Sequence, residues 1–170
     1  MRAPAWYLVY SKPQQEERAR INLDRQGYEP FLPMMRVQRR KSGRFVTRIE
    51  PMFPRYLFAR VDPEHEGWAP IRSTFGVSAL VRFGTQPTPV PDVLVNELKA
   101  SADDQGIIGN LVPPDLEPGQ RVRIVEGLLE GYEGIIEAKD GDERVRLLLD
   151  LVNRNAIATL SAHQLTRVGA

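Results

Sequence analysis

Pro51-Met52-Phe53-Pro54-Arg55-Tyr56-Leu57-Phe58-Ala59-Arg60-Val61 is the stretch on which the fold of this chain turns. Residues 56–61 (YLFARV) read as a strand. Residues 51–58 crowd Met52, Phe53, Tyr56 and Phe58 together, and alternation along a strand is expected to bury some of them and expose others. An exposed aromatic pair would mark a protein-binding patch; the other reading is that all are core. Upstream, residues 36–48 read as a β-hairpin with its tip at Ser42-Gly43. Residues 28–35 are extended and interrupted by Pro30 and Pro33. Before them, a helix starts near Pro13 and stops at Gly27, with Ala19 and Leu23 four apart on its core side. Residues 5–10 (AWYLVY) read as a buried strand. Downstream come a short helix over 68–73, a strand over 77–83, and a helix over 90–100 that begins near Pro91-Asp92. Strands and helices alternating through residues 1–100 predict an α/β (α+β) sandwich, in which helices cover a mostly antiparallel sheet.

A polar stretch with glycine and proline, residues 101–114 (SADDQGIIGNLVPP), reads as a linker. Residues 115–170 are then a second module, too small for a large core. Its pattern supports two structures. Short apolar runs between Gly127, Gly131, Gly134 and Asp140-Gly141 fit a small β-barrel. Val122, Val125, Leu128, Tyr132 and Ile135, and then Val145, Leu148 and Val152, also recur at helical spacing, and residues 144–151 (RVRLLLDL) favour a helix.

Composition narrows the function. The 170 residues are 42% hydrophobic and 26% charged, ordinary for a soluble protein. There is no cysteine, which excludes disulfides and thiolate metal sites. No run of about 20 apolar residues could span a bilayer, so a cytoplasmic protein that does not act at a membrane is expected. No Walker loop, GxGxxG or HExxH is present, and His65 and His163 have no nucleophile or metal-ligand spacing around them. The expectation is a non-enzyme without cofactor or metal, with Asp103-Asp104 a solvated linker pair. Residues 1–100 hold 16 Lys and Arg against 10 Asp and Glu, and residues 101–170 hold 7 against 12. The basic half is the candidate for a polyanionic partner.

Two features of that half could carry binding. Arg18, Asn22, Arg25 and Gln26 fall on one side of the first helix, away from Ala19 and Leu23, with Lys12 just before it. Arginine pairs with phosphates or base edges, and Asn and Gln hydrogen-bond base edges; the alternative is a solvated amphipathic face. The hairpin contains Arg36, Arg39, Arg40, Lys41, Arg44 and Arg48 and no acidic residue. That suits contact with a duplex backbone, or else protection of an exposed edge.

Three stretches together resemble the N-terminal domain of the NusG superfamily: Trp6-Tyr7-Leu8-Val9-Tyr10 with Lys12; Phe53-Pro54-Arg55-Tyr56-Leu57-Phe58; and Ile71-Arg72-Ser73-Thr74-Phe75-Gly76-Val77 running into Val81-Arg82-Phe83-Gly84. Pro118-Gly119-Gln120-Arg121-Val122, then Gly127 to Gly134-Ile135-Ile136, resembles the KOW motif. Val81-Arg82-Phe83-Gly84, and Asp140-Gly141 followed by Arg144 and Leu147-Leu148-Leu149-Asp150-Leu151-Val152, are most similar to the RfaH branch, whose C-terminal segment folds either as an α-helical hairpin or as a five-stranded β-barrel. The resemblance implies an operon-specific transcription elongation and antitermination factor. Phe53, Tyr56 and Phe58 would bind the clamp helices of the largest RNA polymerase subunit, closing the clamp and suppressing pausing. Lys12, Arg18, Asn22, Arg25, Gln26, Thr74 and Phe75 would read an element in the single-stranded non-template DNA. In the closed state the C-terminal hairpin would cover the clamp-binding patch, with Glu50 and Arg144 as an interdomain lock. For a partly exposed pair that lock is expected to be worth about 1 kcal/mol. Once released, the C-terminal domain would recruit the ribosome. A monomer is expected.

The chain departs from the RfaH pattern at Asn22, where a histidine is usual, and at Phe75, where an arginine is usual, so the DNA element it reads would differ. Gly67-Trp68-Ala69-Pro70 replaces the segment that would touch the gate loop of the second polymerase subunit. Two other readings stay open. One is a general NusG-type factor without a fold switch; the other is a ribosome- or RNA-binding KOW protein.

Overall fold

The computed structural model describes residues 3–65, 67–108, 135 and 140–168, and for Arg39 and residues 155–168 the backbone alone. β1 (Ala5–Ser11) lies at the centre of a five-stranded antiparallel sheet. Its order is β2 (Glu29–Phe31), β5 (Tyr56–Val61), β1 and β6 (Val77–Leu80), with β7 (Pro89–Val90) also paired to β1. β1 reads as an unbroken apolar run because both its faces are covered. Trp6 and Leu8 face one core, which includes Phe53, Phe58, Leu94, Val95 and Leu98. Tyr7 and Val9 face the other, which includes Ala19, Leu23, Leu57, Ala59 and Ile71. The helix α3 (Asp92–Ala100) therefore covers the first face, and α1 (Glu16–Arg25) with the short α2 (Ala69–Arg72) covers the second.

α1 stops as its sequence predicts. Gly27 takes φ +91°, the Tyr28 N–H donates to the Leu23 carbonyl and the Gly27 N–H to that of Asp24. These two bonds satisfy carbonyls that the last turn would otherwise leave open.

A second sheet holds the long hairpin. β3 (Met34–Lys41) and β4 (Arg44–Pro51) pair over eight positions, from Met34↔Pro51 to Lys41↔Arg44. Ser42 (φ 52°) and Gly43 (φ 78°) close them with the left-handed geometry that matches strand twist. A further strand, β8 (Ile107–Ile108), adds to β3 in parallel. The stretch read as a linker thus begins inside the folded body. Asp103 is correspondingly not the solvated linker residue expected. Its carboxylate accepts the N–H groups of Gln105 (2.9 Å) and Ile107 (3.0 Å), which turns the chain into β8. The Ile107 N–H above all, then those of Gln105 and the Arg36 charge, hold its pKa below the ordinary carboxylate value.

The C-terminal half is helical where it is described. α4 (Gly141–Val168) runs 28 residues. Arg144, Leu148, Leu151 and Val152 are buried at helical spacing, and Leu148, Leu151 and Val152 join Ile135 in the core on the α3 side of the sheet. Of the two structures the sequence allowed for this segment, residues 141–168 adopt the helix. The KOW-like stretches at 118–122 and 127–136 lie outside the described residues, apart from Ile135.

Candidate functional site

The first site is built on α1 and the turn that follows α2. Gly76, at φ +89°, brings that turn against the helix: a Cβ there would stand 2.7 Å from the Ala19 nitrogen. The Gly76 carbonyl accepts the Lys12 N–H at 2.8 Å, so the entry to α1 is tied to the same turn. The polar residues expected to act together are in contact. Gln26 Nε2 donates to Thr74 Oγ1 at 2.7 Å, and Thr74 Oγ1 donates to the Pro70 carbonyl at 2.8 Å. The Arg18 guanidinium sits 5.5 Å from the centre of the Phe75 ring, which is 69% exposed. Asn22 Nδ2 donates back to the Arg18 carbonyl, and Arg25 stands exposed on the same face. Phe75 thus supplies a solvent-facing ring with a cation beside it, a surface on which an unpaired base can stack. Thr74, 5% exposed, orients Gln26 from beneath.

The second site is the surface under α4. Phe53 and Phe58 are fully buried, their rings edge to face at 6.2 Å, and Phe31 stacks on Phe58 at 5.9 Å. Tyr56 is half-buried, 5.0 Å from the ring of Tyr10, and burial raises its phenol pKa. The expectation that alternation would leave part of this cluster exposed does not hold. Met52, Phe53 and Phe58 are all at 0% because chain from the far end of the sequence packs over them. Arg144 is likewise fully buried. Its Nε donates to the Met52 carbonyl at 2.7 Å, and a second guanidinium nitrogen lies 3.6 Å from Glu50, whose side chain keeps 26% exposure. The pair expected to be partly exposed is therefore exposed on its acidic side alone. Gly141 makes the closest approach of α4, where an added Cβ would meet the Pro54 ring at 2.6 Å.

Three features were missed in the sequence. Gly76 and Gly141 each mark a close approach, and an isolated glycine beside a polar motif was the available signal. Arg55 takes φ 71°, unusual for a side chain with a Cβ. Its N–H donates to Glu16, its Nε to the Ser11 carbonyl, and its guanidinium covers Tyr10 at 4.1 Å. It therefore ties the start of α1 to the end of β1. Trp68, whose role in a partner contact was open, packs edge-on against Tyr7 at 6.0 Å at the margin of the core on the α1 side.

The sequence profile of the family described as "Transcription termination factor nusG" matches residues 4–99. The chain belongs to the NusG family. Among its relatives, the Transcription termination/antitermination protein NusG of Thermus thermophilus is 25% identical, across 95% of this chain and 97% of that one. The protein of the same description from Staphylococcus aureus is 23% identical, across 98% and 97%. A solved structure, "Domain interaction in Thermotoga maritima NusG", aligns with TM-score 0.45 and 23% identity over 71% of this chain and 69% of that one. Among the described residues of this NusG-family chain, no helix is long and apolar enough to cross a membrane.

Proposed function

We propose that this chain is an autoinhibited, operon-specific transcription elongation and antitermination factor of the RfaH type. The carrying observation is α4 packed over Phe53 and Phe58, with Arg144 buried against Glu50 and the Met52 carbonyl. A helix that covers an aromatic patch competes with any partner for that patch, so binding requires its release. In this reading Phe53, Tyr56 and Phe58 bind the clamp helices of the largest RNA polymerase subunit once α4 has left. Lys12, Arg18, Asn22, Arg25, Gln26, Thr74 and Phe75 read the non-template strand, whose unpaired bases present their edges to a small polar surface. The freed C-terminal segment refolds as a KOW barrel and recruits the ribosome. The reading needs no catalytic step, cofactor or metal, and it places the protein in the cytoplasm as a monomer. The segments 1–100, 101–114 and 115–170 are then the polymerase-binding module, the linker and the switching module.

A second reading is favoured by the relatives, which match along nearly their whole length and carry the general NusG description. A general factor would keep a permanent barrel and bind polymerase on any sequence. Far-UV circular dichroism and amide NMR of the intact chain and of residues 101–170 alone separate the two. The proposal expects helix for residues 141–168 in the intact chain and β structure in the isolated segment. The same β structure in both samples would overturn it in favour of the general factor.

A further inference from the structure

The two sites leave the β3–β4 hairpin without a role. From Arg36 to Ile49 every described side chain is exposed except the half-buried Val37. Six of the residues from 36 to 48 are Lys or Arg and none is Asp or Glu. The hairpin's ion pairs lie at its base, Arg36 with Asp103 and Glu50 with Arg144. No described carboxylate pairs with Arg40, Lys41, Arg44 or Arg48.

The pairing register sorts the ribbon into two faces, since directly opposed residues share a face. Lys41 opposes Arg44 and Arg48 opposes Val37 on one; Arg40 opposes Phe45, Gln38 opposes Thr47 and Arg36 opposes Ile49 on the other. Edge protection does not explain this arrangement. Like charges set directly opposite each other destabilise a hairpin, and mixed signs would guard an edge as well. Phe45, 72% exposed, and Ile49, 52% exposed, would invite the association that protective charges prevent. An uncompensated cationic ribbon with an apolar ring at its tip, the Arg40 guanidinium 5.9 Å above Phe45, is instead complementary to a polyanion that also presents apolar surface.

Shape selects among polyanions. Residues 36–41 extend about 20 Å at the usual strand rise. The B-form major groove, about 12 Å wide, admits a two-stranded ribbon, whereas the deep, narrow major groove of A-form RNA does not. We propose that the β3–β4 hairpin is a second nucleic-acid surface of this protein, one that grips double-stranded DNA through its phosphates without reading sequence. It is separate from the α1 face and holds whether or not α4 is a switch.

The test uses the full-length protein and a fluorescein-labelled DNA duplex of arbitrary sequence, with anisotropy followed across a salt series. Lys41→Ala with Arg44→Ala removes an exposed like-charge pair, so the fold is not endangered. Each lost phosphate contact lowers the slope of log K against log salt by about 0.9. The double variant is therefore expected to lose about 1.8 from the slope and at least tenfold in affinity at low salt, about 50 mM. Arg25→Ala, on the α1 face, should leave the slope unchanged, and an RNA duplex of equal length should bind more weakly than the DNA. An unaltered slope in the double variant overturns the proposal. So does RNA duplex binding as tight as DNA with the same dependence on Lys41 and Arg44.

Discussion

A methyl group on Gly76 would meet the backbone of Ala19, not a side chain that could swing aside. The residue also sits at φ +89°, where a Cβ adds its own strain. A left-handed conformation costs a non-glycine residue about 1–2 kcal/mol, and overfilling a tight contact about 1–3 kcal/mol. Gly76→Ala should therefore lower stability by about 2–5 kcal/mol, read as a fall in the urea midpoint with an unchanged m-value. Relief of the clash would move the turn away from α1, so the hydrogen bond from Gln26 to Thr74 should lengthen or break, visible as a shift of the Gln26 side-chain amide resonances. A variant as stable as the parent, with those resonances unmoved, would show that the turn does not depend on glycine. The polar residues of this face were legible because helical spacing alone aligns Arg18, Asn22, Arg25 and Gln26. That Thr74 lies under Gln26 was not, since the contact joins positions 48 apart and local periodicity carries no information about it.

At the scale of elements, α4 shows why one sequence pattern admitted two folds. Residues 141–152 have helical spacing whether or not they form a helix, and what decides is the surface offered by β5, α3 and the 51–55 turn. The aromatic run 51–58 was misjudged for the same reason. Alternation predicts two faces for a strand, yet the face expected to be open is closed by a helix some 90 residues away in sequence, as the bond from Arg144 to Met52 spans 92. By contrast β1, α1 with its glycine stop, and the β3–β4 hairpin with its Ser42-Gly43 tip were legible, because their signals lie within a few residues. The docking of α4 has two sensitive points. Removing one partner of a buried pair costs about 3–5 kcal/mol, and of an exposed pair about 0–1. Glu50 keeps 26% exposure and Arg144 keeps its bond to the Met52 carbonyl, so Glu50→Ala should cost about 2 kcal/mol, between those limits. Gly141→Ala sets two effects against each other: alanine favours the helix by up to about 1 kcal/mol, while the clash with Pro54 costs about 1–3 kcal/mol. The clash prevails, and both variants should undock α4. Amide exchange across residues 144–152 should accelerate by about 10-fold or more in each, with β1 and β5 unaffected. Equal protection in parent and variants would mean that neither contact holds the helix.

For the whole molecule, the two cores differ in how much they owe to the C-terminal segment. The core around Ala19, Leu23, Leu57 and Ile71 lies wholly within residues 5–80, and all the strands lie within residues 5–108. The core around Phe53 and Phe58 takes Ile135, Leu148, Leu151 and Val152 from beyond that limit. A chain truncated after residue 108 should therefore stay folded, with a lower Tm and with Met52, Phe53 and Phe58 newly open to solvent. Binding of a hydrophobic dye should rise, since contiguous apolar patches of this kind are rarely left uncovered on a monomer. The consequence for function follows from the balance that holds α4 down. Each buried Leu or Val contributes about 1.5–3 kcal/mol, and ordering the helix backbone costs about 1–2 kcal/mol per residue, so the closed state leads by a small difference between large terms. A lead of about 1.4 kcal/mol already leaves one molecule in ten competent, and apparent affinity for a partner of the patch falls in the same proportion. If the patch binds RNA polymerase, the truncated chain should bind it at least about tenfold more tightly than the intact chain. Tyr56→Ala with Phe58→Ala should abolish that gain in the truncated background, provided near-UV circular dichroism shows the fold intact. Equal affinity of the intact and truncated chains would separate α4 from any masking role. A gain that survives the double substitution would instead place the polymerase contact elsewhere on the domain.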